Sequence, residues 1–242
     1  MGNENSGDKV GHPFYGNQWD NTGGVSKAAG NTIELATYVP QRVNKVDLSP
    51  ASKKDISNAI LRAKNIEPVI TDMVTGLASE TGGTPQGLKF RLKSLQSAES
   101  EVGTKMREQK VSTEKAIEGL TDMNRYTISY KDEDYVEKSN TVLKSLEEKG
   151  WNVYKDKQRN YWRENTPYKG YNVVLTNGKT VFELQLHTDT SYKLKMFNHP
   201  IFELERTEDD PLIRYRYTKM MMGITSLIPN PKGVDSLKGV KK

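Results

Sequence analysis

The chain has 242 residues, of which 34% are hydrophobic, so it can bury one core, and its net charge of +5 favours anionic partners such as nucleotides or RNA. It contains no cysteine and three scattered histidines, which excludes a disulfide framework, a zinc–thiolate site and a histidine-rich metal cluster. No apolar stretch approaches membrane length and the N-terminus lacks the pattern of a signal peptide, so we expect no membrane partner and a cytoplasmic protein.

The N-terminal stretch, residues 1–45, is rich in Gly, Asn and Ser without a hydrophobic period, and we expect a disordered or extended tail. Within it, residues 11–19 read GHPFYGNQW. Four large or aromatic side chains stand in this peptide: His12, Phe14, Tyr15 and Trp19. The cluster is either a chance event or a docking or packaging peptide, since short peptides bind through aromatic anchors.

A helix is predicted to begin at Ser49-Pro50, which have the character of an N-cap followed by a first-turn proline. Apolar residues then recur at helical spacing as far as Gly82-Gly83. Pro68 falls inside this pattern and should break or kink it. We therefore expect two helices or one bent helix.

Cations precede the next predicted helix. Arg91, Lys93 and Ser94 come just before it, within the segment GLKFRLKS. The buried face of this helix would carry three residues: Ala98, Val102 and Met106. Backbone N–H groups at a helix N-terminus and a guanidinium both favour phosphate, so the cations form either an anion site or an ordinary solvated basic face.

The rest of the chain alternates strands and helices. The predicted elements are a short helix and a strand in residues 115–130, a helix at 133–149, strands at 151–157, 170–175 and 180–187, and helices at 191–198 and from Pro211. Asn177-Gly178 predicts a type I′ hairpin turn, and Asp189 is placed to cap the helix that follows it. We predict an α+β fold with a mixed sheet of about four or five strands flanked by helices, in one domain at residues 46–228. A loose basic tail, residues 229–242, follows it.

The most informative strand is Val181–Thr188, VFELQLHT, which alternates strictly. Its apolar residues would face the core: Phe182, Leu184 and Leu186. The opposite face would carry an acid, an amide and an imidazole: Glu183, Gln185 and His187. Asp122 stands at the beginning of another predicted strand. If the two strands are neighbours, Asp122 and Glu183 form a carboxylate pair that suits Mg²⁺, which prefers few oxygen ligands and substrate phosphates.

The two carboxylates, the cations and the aromatic side chains together indicate phosphoryl-type transfer. Cations hold phosphates, carboxylates hold a metal, and an aromatic side chain stacks on a base. Such catalysis consists mostly of positioning and charge neutralisation. Nucleophilic triads find no support because the chain lacks cysteine and a G-x-S-x-G motif, and it has neither a Walker A loop nor a GxGxxG motif.

Four blocks in this order resemble the synthetase domain of RelA/SpoT-type proteins. They are R-x-K-S-x-x-S from Arg91, D-x-x-R-Y from Asp122, K-G-Y from Lys169 and E-x-Q-x-H-T from Glu183. The resemblance covers about residues 50–206 and is closer to the small toxic synthetases and to domains of phage head proteins than to the long housekeeping enzymes. It implies the nucleotidyltransferase-like fold of that family. GHPFYGNQW also looks like a short element of phage virion-associated proteins.

The resemblance implies transfer of the β,γ-pyrophosphate of ATP onto a ribose 3′-hydroxyl. Mg²⁺ would lie on Asp122 and Glu183, and Glu183 would also help to deprotonate the attacking hydroxyl. ATP would be held by four residues: Arg91, Lys93, Ser97 and Arg125. Tyr171 would stack on the acceptor base, with Lys169 near the acceptor phosphates. Two further strand residues would orient the catalytic groups: Gln185 and His187.

Three positions depart from the family pattern. Lys169 replaces the asparagine of the usual Asn-Gly-Tyr loop, and His187 replaces the arginine of E-x-Q-x-R-T. Thr127 stands where the long enzymes carry an arginine, and Arg125 lies earlier. The acceptor is therefore left open between a guanine nucleotide, an adenine nucleotide and the 3′ end of tRNA.

The resemblance also implies a biological setting. The hydrolase half of the long enzymes has no counterpart in this sequence, and synthesis without hydrolysis suits a toxin or effector. The expected partners are an antitoxin or immunity protein and, through residues 11–19, a phage head or packaging protein. The expected location is the cytoplasm of a bacterial host, or a phage virion.

Two other functions compete with this interpretation. Glu203-x-Glu205 resembles the E-x-E motif of ADP-ribosyltransferases, which would bind NAD instead of ATP. A catalytically inert virion-associated or RNA-binding protein is the second alternative. It would bind nucleotide without turnover, or bind none, and the intact Asp122 and Glu183 count against it.

Overall fold

The computed structural model describes residues 47–237 of the chain. The N-terminal aromatic peptide and the last residues of the basic tail lie outside these residues, so what the sequence predicts for them stays a prediction. No helix in the described part combines the length and apolar character needed to span a membrane.

Six helices and five strands make up the regular structure of the described residues. The helices are α1 (Pro50–Thr81), α2 (Leu95–Gln109), α3 (Thr113–Glu118), α4 (Tyr135–Glu148), α5 (Asp189–Thr207) and α6 (Pro211–Thr225). The strands are β1 (Thr84–Gln86), β2 (Arg125–Tyr130), β3 (Asn152–Asn160), β4 (Tyr171–Thr176) and β5 (Val181–Thr188). Short 3₁₀ turns occur at Leu88–Phe90, Tyr161–Arg163 and Val234–Ser236.

The five strands form one mixed sheet in the order β1-β2-β5-β4-β3. Strands β2 and β5 are parallel, and every other pair is antiparallel. The parallel pairing sets Arg125 opposite Glu183 and Thr127 opposite Gln185. The predicted α+β fold and strand number are confirmed, and the strand that follows Asp122 is a neighbour of the VFELQLHT strand.

One face of the sheet packs against α1 and α4 and forms the main core. Alternate residues of three strands are buried there: Tyr126, Ile128, Tyr130, Tyr171, Val173, Leu175, Phe182, Leu184 and Leu186. The predicted alternation of β5 is therefore confirmed, and its polar residues lie on the opposite face of the sheet.

Helix α1 begins as predicted, with Pro50 in the first turn and the Ser49 hydroxyl accepting the backbone N–H of Ser52 at 3.1 Å. It ends at Gly82, whose positive φ of 72° suits glycine. Of the two alternatives at Pro68, two separate helices is wrong, because one helix runs through the proline without interruption. Buried residues on both sides of this proline pack against the rest of the protein, and this packing outweighs the lost backbone hydrogen bond.

The β4–β5 hairpin is confirmed, but its turn type is not. Thr176 pairs with Val181, so the loop has four residues and not the two of a type I′ turn. Asn177 accepts the N–H groups of Lys179 and Thr180 through Oδ1, both at 3.1 Å. This asparagine therefore supports the loop through its side chain.

Helix α5 differs from its prediction at both ends. Thr188, and not Asp189, is the N-cap, and it forms a reciprocal capping box with Ser191. Asp189 instead accepts the Ser129 hydroxyl at 2.6 Å. The helix also continues through Pro200 instead of ending there, and α6 packs against it.

The stretch after Pro229 is packed as far as the structure describes it. Val234 and Leu237 are buried in the main core. Asn160 donates from Nδ2 to the carbonyl oxygens of Val234 and Leu237 at 2.8 and 3.2 Å. The expectation of a loose tail is therefore wrong for residues 229–237, and the packed part of the chain extends through Leu237.

Leu237→Ala is expected to lower the free energy of unfolding by about 2–4 kcal/mol, because it leaves a cavity under a fully buried side chain. The matched control is Leu227→Ala, since Leu227 is 76% exposed and its truncation should change stability by less than about 0.5 kcal/mol. Urea unfolding of the full chain measures both. Equal effects would contradict the packing of the C-terminal segment.

Candidate active site

The polar face of the sheet carries a cavity of about 470 Å³. Four carboxylates line it: Glu101, Asp122, Glu164 and Glu183. Three cations line it as well: Lys105, Lys157 and Arg159. The structure thus brings the predicted carboxylate pair into one cavity, although Asp122 lies in the turn before β2 and not in the strand itself.

Asp122 is held by two cations. Its Oδ2 lies 2.7 Å from Nζ of Lys93 and 3.6 Å from Nη1 of Arg125. Burial alone would raise the pKa of this carboxyl, but the charges of Lys93 and Arg125 outweigh burial and lower the pKa of Asp122 to about 2. Asp122 is therefore a fixed negative charge at neutral pH.

Glu183 has the opposite character. Burial, together with the negative charge of Asp122, raises its pKa, and the charge of Arg125 opposes this only in part. Nδ2 of Asn172 and Nε2 of Gln185 both donate to its Oε1, at 2.9 and 3.1 Å. The carboxyl is thus oriented by amides and poised to take up a proton more readily than an exposed glutamate.

The two carboxylates suit a magnesium ion. Within residues 47–237, no group of three or more His, Cys, Asp or Glu side chains is arranged to hold a metal ion. Mg²⁺ commonly uses only one or two carboxylates together with substrate phosphates. Burial and the charge of Asp122 raise the pKa of Glu183, and a divalent cation held by both carboxylates would offset the repulsion between them. The donor set therefore fits Mg²⁺ bound together with a nucleotide.

The residues predicted to bind ATP lie in different surroundings. Lys93 is 1% exposed, and its Nζ bridges Asp122 and Glu101 at 2.7 Å each. Burial opposes its charge, but the two carboxylates raise the pKa of Lys93 overall. It positions Asp122 and does not line the cavity.

Arg91 and Ser97 are also occupied by contacts within the protein. Arg91 pairs with Glu67 and donates to the carbonyl oxygen of Leu88 at 2.7 Å. Ser97 is buried and accepts the Ser94 hydroxyl at 2.9 Å. Neither residue lines the cavity, so the structure gives no support for direct contact with ATP there.

Arg125 is the predicted ATP ligand that the structure places centrally. It pairs with Asp122 and lies opposite Glu183 in the sheet. It also lines a smaller cavity of about 40 Å³, together with Gln185 and Lys195. Its charge acts on both carboxylates, since it lowers the pKa of each.

The two predicted acceptor ligands do not face the cavity. Tyr171 is 1% exposed on the core face, and its hydroxyl donates to Oε1 of Gln158 at 2.7 Å. No base can stack on a ring in that position. Lys169 donates from Nζ to the carbonyl oxygen of Glu164 at 2.7 Å, and it holds the loop before β4. The acceptor contacts predicted for these residues are therefore not supported.

Gln185 and His187 lie on the predicted face, but only Gln185 contacts Glu183. His187 is completely buried beneath α5, with Nε2 2.9 Å from the Tyr168 hydroxyl and Nδ1 3.0 Å from Oγ of Ser191. Burial and the charge of Lys195 hold the pKa of His187 well below its usual value. His187 is therefore neutral, and it connects Tyr168 with Ser191 without contacting Glu183.

Sequence reasoning missed several residues of the cavity: Glu101, Lys105, Lys157, Arg159 and Asn172. Cations recur at every second residue of the β3 sequence, at Lys155, Lys157 and Arg159. This spacing could have indicated a basic strand beside the site. The predicted strand ended at Lys157, which left Arg159 in a loop. In the structure Arg159 forms two hydrogen bonds to Glu164, both at 2.6 Å. Glu101 and Lys105 are an i,i+4 pair on α2, which was also readable.

The structure does not support the ADP-ribosyltransferase alternative, because the two glutamates of its E-x-E motif lie in a helix. Glu203 and Glu205 lie inside α5 and not on a strand. Glu203 pairs with Arg206, and Glu205 is buried. Neither carboxylate lines the cavity that contains Asp122 and Glu183.

The sequence matches no protein-family model and no curated protein. Solved structures do resemble it. The small alarmone synthetase 1 from Bacillus subtilis is 14% identical with a TM-score of 0.50, covering 72% of this chain and 92% of its own. The small alarmone synthetase 2 from Bacillus subtilis is 14% identical with a TM-score of 0.49, covering 72% and 94%. A GTP pyrophosphokinase family protein from Streptococcus pneumoniae is 14% identical with a TM-score of 0.48, covering 74% and 90%.

The chain therefore has the fold of small alarmone synthetase 1, which confirms the predicted RelA/SpoT-type synthetase architecture.

Proposed function

We propose that this chain is a Mg²⁺-dependent pyrophosphokinase that transfers the β,γ-diphosphate of ATP to a ribose 3′-hydroxyl. The observation that carries the proposal is the cavity in which Asp122 and Glu183 meet three cations. The synthetase fold supports it. The acceptor is a guanine or adenine nucleotide or the 3′ end of tRNA.

The cavity supplies the charges that this reaction needs. Phosphoryl-type transfer depends on positioning and on neutralising the negative charge of the phosphates. Lys105, Lys157 and Arg159 line the cavity and would contact phosphate oxygens. Mg²⁺ held by Asp122 and Glu183 would neutralise further phosphate charge when bound.

Glu183 is the proposed general base. The acceptor 3′-oxygen forms a bond to the β-phosphorus of ATP while its proton passes to the Glu183 carboxylate. The bond from that phosphorus to the oxygen shared with the α-phosphate breaks, and AMP leaves. The raised pKa of Glu183 suits this role, because a base works best when its pKa approaches the working pH.

We further propose that the protein acts as a toxin or effector of phage or mobile-element origin in the bacterial cytoplasm, or packaged in a virion. An antitoxin or immunity protein would neutralise it. The GHPFYGNQW peptide, residues 11–19, would bind a phage head or packaging partner.

The proposal is tested with purified full-length protein, γ-labelled ATP and Mg²⁺. GDP, GTP, ADP, AMP and deacylated tRNA are offered in parallel, and Glu183→Gln is the control. Label on one acceptor, absent with the variant, is the expected result. Nucleotide binding without transfer in a folded protein would support an inert virion-associated or RNA-binding protein, and NAD turnover would support an ADP-ribosyltransferase.

Lys157→Ala is expected to raise KM for a phosphate-bearing substrate about tenfold, with a smaller change in kcat. Burial and the nearby charge of Lys105 lower the pKa of Lys157, and a bound phosphate would relieve this repulsion. Lys179→Ala, in the exposed β4–β5 loop, is the matched control and should leave KM unchanged. Steady-state rates with each substrate varied in turn measure the effect. An unchanged KM for both substrates would remove Lys157 from phosphate binding.

A further inference from the structure

A buried chain of hydrogen bonds runs behind the cavity from the N-terminus of α5 to Glu183. Nδ1 of His187 lies 3.0 Å from Oγ of Ser191, and Nε2 lies 2.9 Å from the Tyr168 hydroxyl. That hydroxyl lies 2.6 Å from Oδ1 of Asn172, and Nδ2 of Asn172 lies 2.9 Å from Oε1 of Glu183. The four residues behind Glu183 are all buried, so solvent does not compete for these bonds.

The donors in this chain all point toward Glu183. A carboxylate only accepts, so Asn172 presents its Nδ2 to Glu183 and its Oδ1 to Tyr168. The single hydroxyl proton of Tyr168 is donated to Oδ1, and its oxygen accepts the Nε2–H of His187. Nδ1 of His187 is then an acceptor for the Ser191 hydroxyl, which also lies 3.2 Å from the carbonyl oxygen of Thr188. The chain thus fixes the tautomer of His187 and the orientation of the Asn172 amide.

The surrounding packing leaves this arrangement little freedom. The Tyr168 and His187 rings meet edge to face, with centroids 5.1 Å apart. A Cβ atom on Gly170 would lie 2.9 Å from Cε1 of His187 and 3.0 Å from the Tyr168 hydroxyl, closer than such contacts allow. Glycine at this position of the K-G-Y block therefore allows the backbone to approach the hydrogen-bonded pair.

The amide donors to Glu183 converge on one of its oxygens. Asn172 and Gln185 both donate to Oε1. Gln185 is itself held, since Lys195 donates from Nζ to its Oε1 at 2.7 Å. The two amides therefore fix the orientation of the Glu183 carboxylate through this one oxygen.

We propose that Tyr168 is a positioning residue: His187 orients its hydroxyl, which locks the Asn172 amide and thereby holds the Glu183 carboxylate in its productive orientation. The proposal rests on the proposed role of Glu183 in transfer. It also assigns a role to His187, which stands where the resembled family carries arginine. An arginine has no acceptor nitrogen and would place a charge in this buried chain.

The test compares Tyr168→Phe with a matched control, Tyr130→Phe. Phenylalanine keeps the ring and removes only the hydroxyl. Tyr130 is also buried, but its hydroxyl lies 2.9 Å from Oγ1 of Thr81 on the core side of the sheet. Tyr168→Phe is expected to lower kcat about tenfold with KM values changed less than about twofold, since misorientation of a catalytic group acts on the reaction step. Tyr130→Phe should leave kcat unchanged.

Asn172→Ala and the double variant Tyr168→Phe/Asn172→Ala complete a cycle. Because Tyr168 acts through Asn172, the double variant should be no slower than Asn172→Ala alone. Additive losses, or an unchanged kcat in Tyr168→Phe, would overturn the proposal. If Tyr168→Phe fails to fold, Ser191→Ala takes its place in the cycle, with the same two criteria.

A spectroscopic readout separates this proposal from the proposed function. In ¹⁵N NMR spectra without nucleotide or metal, wild-type His187 should show the Nε2–H tautomer. Tyr168→Phe should shift the Asn172 side-chain amide signals and speed their hydrogen exchange, whereas Tyr130→Phe should not. If the protein shows the Nε2–H tautomer and the shifted Asn172 signals but transfers no diphosphate, the proposed function is wrong and the hydrogen-bond chain is still supported. Unshifted Asn172 signals in Tyr168→Phe would overturn the positioning role even in an active enzyme.

Discussion

Glu183→Gln is expected to lower kcat for diphosphate transfer by about 10³-fold, because the amide cannot accept the proton of the attacking hydroxyl. The substitution keeps the size of the side chain and the amide contacts at its oxygen. Glu118→Gln is the matched control, since Glu118 lies exposed on α3 and should leave the rate unchanged. A variant that keeps more than a tenth of the wild-type kcat would remove Glu183 from the catalytic step.

The same substitution should not destabilise the protein. Burial and Asp122 raise the pKa of Glu183, so the folded state binds its proton more tightly than the unfolded state does. Stability then falls as the pH rises from the usual glutamate range through the raised pKa. At neutral pH the neutral glutamine removes this cost, so the thermal midpoint should stay equal or rise. A large drop in the midpoint would make the rate loss uninformative about catalysis and would contradict the electrostatic account.

Lys93→Met is expected to lower the free energy of unfolding at pH 7 by about 3–5 kcal/mol, because it leaves the carboxylates of Asp122 and Glu101 without their shared cation. Methionine fills much of the same volume, so the loss measures charge more than packing. Lys115→Met is the control. Its ion pair with Glu118 is about two-thirds exposed on both sides, and such pairs contribute less than about 1 kcal/mol. Urea unfolding compares the two variants.

The effect of Lys93→Met should depend on pH. The pKa of Asp122 in the folded protein is lowered to about 2, so this carboxylate contributes stability above its usual pKa. That contribution is lost as the pH falls through the range from the usual value of 3.8 to about 2. The difference between wild type and Lys93→Met should therefore narrow across that range. An equal difference at pH 7 and pH 3 would contradict the ion-pair account.

The alternation of β5 made its faces predictable from the sequence, because a one-residue shift would bury Glu183 and expose Phe182. The pairing of β2 with β5 was an assumption at that stage, since periodicity within one strand does not name its neighbour. The resemblance to a family implied only that Asp122 and Glu183 share a metal ion, which requires the two segments to lie close together. The long-range bond between Lys93 and Asp122 could not be read from either segment alone.

Tyr171 shows where the resemblance and the local pattern disagree. In β4, Tyr171, Val173 and Leu175 alternate with Asn172 and Val174, and the first three face the core. This alternation is typical of a strand with one buried face and places Tyr171 in the core, whereas the family resemblance implied a ring that stacks on the acceptor base. Because side chains alternate between the two faces of a strand, Tyr171 lies in the core and its neighbour Asn172 lies beside Glu183. The motif had not identified Asn172 as a site residue.

The central claim is that a diphosphate moves from ATP to the acceptor, and the position of the label tests it most directly. Parallel reactions use ATP labelled at the α-phosphate or at the γ-phosphate, with Mg²⁺ and the acceptor that the panel identifies. The account predicts the γ label in the acceptor product and the α label in AMP, in equal amounts. The α label in the acceptor product would indicate nucleotidyl transfer, and α-labelled ADP in place of AMP would indicate transfer of a single phosphate. Either result would contradict the account.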